Sequence, residues 1–110
     1  MECSRELALS LFFRPWAESE AEILFSVNDG AESCKIEWTS PGNGRFLEIG
    51  FTRSGAKNLT VDLFEASRFS YEDVRSDPSA PMLMAKGWES FVVVEFPDGT
   101  TLLFAKPKAD

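Results

Sequence analysis

The chain has 110 residues, 44% hydrophobic and 26% charged, so it is long enough to bury roughly 60 to 70% of its unfolded surface as one domain and too apolar to be disordered. Eleven Lys and Arg against eighteen Asp and Glu give a net charge of -7, which disfavours nucleic-acid backbones and anionic lipid and favours a basic protein partner. Histidine is absent, which removes Ser-His-Asp and Cys-His catalysis and, with only two cysteines, the usual structural zinc sites.

Period-two alternation runs through most of the chain. Leu7, Leu9, Leu11 and Phe13 alternate with Ala8, Ser10 and Phe12 and predict a first strand, with Arg14-Pro15-Trp16-Ala17-Glu18 as a connection. Ala21, Ile23, Phe25 and Val27 predict a second. A helix over 16–25 competes with that reading, because Ala and Glu favour helices and Pro15 can precede a first turn. After the turn sequence Asn28-Asp29-Gly30, Cys34, Ile36 and Trp38 alternate with Ser33, Lys35, Glu37 and Thr39 in the cleanest amphipathic strand. Ser40-Pro41-Gly42-Asn43-Gly44 is dense in turn formers. Leu47, Ile49 and Phe51 mark the next strand, and Leu59, Val61 and Leu63 another beyond a loop from Arg53 to Asn58.

The stretch from Glu65 to Pro81 breaks the rhythm. Ser70-Tyr71-Glu72-Asp73 has capping-box spacing, which predicts a short helix near 70–76 or an irregular loop, stopped by Asp77-Pro78. Pro81 to Ala85 reads as a short strand. The strongest local signal comes last: Phe91 to Phe96 is β-branched and aromatic, Pro97-Asp98-Gly99-Thr100 is a turn sequence, and Thr101 to Ala105 is a return strand. Phe91 to Val94 is apolar at every position, so both faces of that strand should be covered.

The expected fold is a single domain over 1–110, mainly β: an antiparallel sandwich or small barrel of about seven to eight strands with at most a short helix near 70–76. The alternative is an α+β antiparallel sheet with a covering helix near 16–25. Cys3 and Cys34 lack C-x-x-C spacing and read as reduced thiols. The acidic Met1-Glu2 opening and the short apolar run after it do not resemble an export signal, and no stretch is long enough to span a bilayer, so a cytoplasmic location is expected.

No enzyme, cofactor or metal site is expected. Gly50 to Asn58 departs from a phosphate-binding loop, since Ala56 stands between Gly55 and Lys57 and Asn58 follows where Ser or Thr is needed. A hydrolase using two carboxylates remains chemically open, but the sequence does not say which acids face each other.

Charge placement is the functional signal. Glu18, Glu20, Glu22, Asp29, Glu32 and Glu37 precede a more basic middle containing Arg45, Arg53 and Lys57, and Glu65, Glu72, Asp73 and Asp77 follow it. If these segments adjoin, they form a patch that steers a basic partner; Glu20, Glu22, Lys35 and Glu37 also fit the solvated outer faces of strands. Trp16, Tyr71 and Trp88 are the candidate aromatic anchors. In size and charge alone the chain resembles immunity proteins for bacterial toxins and phage-encoded antagonists of nucleic-acid-cleaving defence systems. That resemblance covers no motif.

The expected function is therefore a small non-catalytic binding protein, an inhibitor or immunity-type antagonist that masks an electropositive protein such as a nucleic-acid-acting enzyme or toxin. Its site would comprise Trp16, Glu18, Glu20, Glu22, Asp29, Glu32, Tyr71, Glu72, Asp73, Asp77 and Trp88. The alternatives are a β-module for carbohydrate or another small ligand using Trp16 and Trp88, and a homo-oligomer subunit using the apolar strand Phe91 to Phe96 and the Pro81 to Ala85 stretch.

Overall fold

The computed structural model describes residues 1–27, 30–39, 44–53 and 57–108. Among them eight strands form one antiparallel sheet: β1 (Glu2–Cys3), β2 (Ile23–Val27), β3 (Gly30–Trp38), β4 (Phe46–Phe51), β5 (Leu59–Asp62), β6 (Arg68–Asp73), β7 (Trp88–Glu95) and β8 (Thr101–Pro107). Their order is β1-β6-β7-β8-β2-β3-β4-β5, and the sheet does not close. The mainly β, antiparallel architecture of seven to eight strands is what the chain adopts, as one open sheet covered by helices.

The predicted first strand, Leu7 to Phe13, is helical instead. Arg5–Ala8, Leu9–Phe13 and Arg14–Glu18 run on as one helix, α1, opened by Ser4, whose hydroxyl accepts from the Leu7 N–H at 3.1 Å. Its buried residues Ala8, Leu9, Phe12, Phe13 and Trp16 recur at helical spacing. Pro15 would ordinarily break such a helix. Here the turn before it is widened, with the Arg14 N–H bonded to the Leu9 carbonyl five residues back, a geometry that loosens the backbone where the proline ring needs room. The covering helix of the alternative reading thus exists, but it spans 5–18 and overlaps 16–25 only at residues 16–18; residues 23–27 are β2.

α1 packs on the inner face of the sheet. Register places Phe25, Phe104, Val92 and Tyr71 in one inward row across β2, β8, β7 and β6, and Val27, Leu102, Val94 and Phe69 in the next. Phe13 meets Phe104 edge-on at 5.1 Å between centroids, and Phe12 lies 5.3 Å from Tyr71. Cys34 is fully buried in this core, and burial pushes its thiol pKa up to about 12.

Two further expectations are corrected. Residues 70–76 are not helical: Arg68–Asp73 is β6, paired to β1 and β7, and the inward alternation of Phe69, Tyr71 and Asp73 overrides the capping-box spacing. Pro81–Lys86 is not a strand but a helix, α2, with Pro81 in its first turn and Gly87 closing it at φ 67°.

The hairpin at Asp98-Gly99 forms as predicted. The Asp98 carboxylate accepts from the Thr100 N–H at 2.9 Å, Gly99 has φ 92°, and β7 pairs with β8 from Glu95 opposite Thr101. β7 is an interior strand covered on both faces: Val92 and Val94 pack toward α1, while Phe91 and Val93 join Leu83 of α2 in a second apolar cluster. Among the described residues no helix is long and apolar enough to cross a membrane.

Candidate functional site

The outer face of the sheet is divided. Under α2 it is apolar, with Phe91, Ala105 and Leu24 in one row. Beside that, on β3 and β4, it carries Lys35, Glu37 and Glu48, with the end of α1 at Ala17 alongside. Register sets Glu37 directly opposite Glu48, and Lys35 opposite Gly50. Like charges set directly opposite across strands are unfavourable in general.

Glu20, Lys35, Glu37, Glu48 and Asn58 surround a hollow of about 230 Å³ over Gly50, which has no side chain to fill it. The Asn58 amide donates to Glu48 at 2.8 Å and fixes that carboxylate at the rim. Glu22 stands nearby, accepting from the Thr52 hydroxyl at 3.3 Å and pairing with the exposed Arg53 at 3.6 Å. Glu20 reaches this rim through the turn that ends α1. The Glu20 N–H bonds the Ala17 carbonyl and the Ala21 N–H bonds the Trp16 carbonyl, with Glu20 at φ 53° where glycine is usual.

The residues expected to form a site are therefore brought together only in part. Glu20 and Glu22 join the face carrying Glu37, and exposed Glu18 lies at the end of α1. Asp29 lies outside the described residues. Glu32 is opposite Phe25 and belongs to the inner mouth of the sheet. Glu72, Asp73 and Asp77 sit on or after β6, four strands from β3 and thus about 19 Å away along the sheet at about 4.8 Å per strand. The acidic segments do not make one patch. Glu48 is the residue missed; its signal was the outward alternation with Phe46 and Gly50 on β4.

Asp73 is buried and accepts from the Arg75 Nε at 2.7 Å and the Arg75 N–H at 3.0 Å. It lines a second cleft of about 290 Å³ with Trp16, Glu89, Ser90 and Lys106. Lys106 pairs with Glu89 at 2.9 Å, so both cations of that cleft are matched by carboxylates from the same chain.

The aromatic anchors are placed otherwise than expected. Trp16, on α1, and Tyr71, beneath it, are buried in the inner core, whereas Trp88 packs against Phe91 on the outer side, 5.9 Å between centroids. Trp16 and Trp88 lie on opposite faces of the sheet and cannot form one platform. The apolar strand and the 81–85 stretch offered for oligomerisation are largely consumed by packing on each other, leaving Met82 and Met84 exposed. No protein-family model, curated protein or solved structure matches the chain.

Proposed function

We propose that this protein is a small acidic binding protein that masks an electropositive protein partner, using the outer face of β3 and β4. The observation that carries this reading is the facing pair Glu37 and Glu48, with Glu20 and Glu22 beside it. A sheet face that needed only solubility would do better to alternate signs there, as Lys35 does. Glu20, Glu37 and Glu48, with Glu22 already paired to Arg53, stand beside a net charge of -7; together they attract a basic partner over the range of a Debye length and set its orientation on contact. An enzyme or toxin that acts on nucleic acid presents such a basic surface, and covering it would block access to the phosphate backbone.

The test is affinity capture from host extract with the wild-type chain and with the double variant Glu37→Lys, Glu48→Lys. Retention of a basic protein by wild type, lost in the variant and lost at high salt, supports the proposal. An identical captured set for both chains defeats it.

A further inference from the structure

The strand order ends at β5, so among the described residues one edge of that strand is unpaired. Its hydrogen-bonding phase follows from the neighbouring contact in which the Leu63 N–H donates to the Arg45 carbonyl at 2.8 Å. Counting back through the antiparallel register, Val61 with Leu47 and Leu59 with Ile49 are the hydrogen-bonded pairs. The backbone N–H and C=O groups of Thr60 and Asp62 therefore point out of the sheet at the free edge.

The two sides of that edge differ in chemistry. On the outer side Thr60 continues the row of Glu48 and Glu37. Leu59, 41% exposed, and Val61 on the inner side, with Thr60 and Asp62 at the edge itself, border an open slot of about 410 Å³ floored by Val27, Phe96 and Leu102. Val27 is 37% exposed although its row is buried elsewhere. Glu65 and Asp98 stand at the rim of the slot.

We propose that β5 is the docking edge for an extended segment of the partner, a strand in which basic and apolar residues alternate. Side chains of an added strand point alternately to the two faces. One set would lie beside the Thr60–Glu48–Glu37 row and be basic; the other would enter the Val27–Leu102 slot and be apolar. The occupant is not a second copy of this chain: two β5 edges brought together would set both acidic outer faces side by side, at a net charge of -7 on each copy. This inference rests on the acidic-binder reading and adds the partner's backbone conformation and pattern to it.

The experiment titrates the isotope-labelled full chain with an acetylated, amidated octapeptide of alternating Lys and Val, following amide and methyl resonances and amide exchange. The expected result is perturbation of Thr60 and Asp62, slowed exchange of their amides, and shifts at the methyls of Val27, Leu59 and Leu102. A peptide with two valines replaced by proline, and one with Glu in place of Lys, should each bind at least tenfold more weakly. Val27→Asp should weaken the Lys-Val peptide by a similar factor. If that variant does not fold, the wild-type resonance map still decides.

Shifts confined to Glu22, Glu37 and Glu48, with the proline peptide binding equally well, would overturn strand addition while leaving the acidic face as a binding surface. Absence of peptide binding, or a dimer in solution that protects the β5 amides, would also overturn it.

Discussion

Glu20 is the one non-glycine residue with positive φ among the described residues, and it sits where a helix C-terminus prefers glycine. A side chain in that conformation costs about 1 kcal/mol, and here it places a carboxylate on the rim of the acidic hollow. Glu20→Gly is expected to raise stability by up to about 1 kcal/mol in denaturant unfolding while reducing capture of the basic partner. A variant that was less stable, or that bound as well as wild type, would contradict this. Asp62 supplies a second residue-scale test. Hydrogen bonds from the Arg45 guanidinium, at 3.0 to 3.2 Å, hold its carboxyl below the ordinary value of 3.8. A carboxylate with a lowered folded pKa contributes stability that is present above the ordinary value and lost as pH falls through the folded one. The melting temperature of wild type should therefore exceed that of Asp62→Asn at neutral pH, and the gap should narrow below about pH 4.

Among the elements, α2 is the simplest to test. Gly87 closes it at φ 67° with no atom near enough to obstruct a methyl group, so Gly87→Ala should cost about 1 to 2 kcal/mol from backbone conformation alone. A neutral result would mean the helix does not end in this way. The same helix shows what the sequence made legible. Pro81 and Gly87 are a start and a stop six residues apart, a pairing that outweighs the apolar look of Met82-Leu83-Met84 once both are read together. The clean strands β3 and β4 and the β7–β8 hairpin were legible because each has one period and a turn with its own chemistry. Leu7 to Phe13 was not: the run is apolar except at Ser10 and fits both periods, and Pro15 suggests a break that the widened turn avoids. β6 was masked by its polar residues, among them the inward Asp73, which Arg75 meets with hydrogen bonds. Within the candidate site, Glu20 and Glu22 could be anticipated from charge, but Glu48 required the β3–β4 register. The separation of Glu72, Asp73 and Asp77 required the strand order, because nearness along the chain says nothing of which strands become neighbours.

At the scale of the whole molecule, the sheet has three surfaces of different character. The inner face packs against α1 and has the slot near Val27. The outer face is covered by α2 over β7, β8 and β2, and carries Lys35, Glu37 and Glu48 over β3 and β4. That division leaves the acidic half beside the free edge at β5, so one side of the molecule offers charge, backbone hydrogen bonds and an apolar recess together. On the proposed reading, this side binds a basic protein through its carboxylates. Its most direct test is the dissociation constant of the purified captured partner with wild type and with the Glu37→Lys, Glu48→Lys chain, measured from about 50 to about 300 mM salt. Wild-type affinity should fall steeply with salt, and the variant should bind at least about tenfold more weakly with a flatter dependence. Equal affinities with equal salt slopes would contradict the claim.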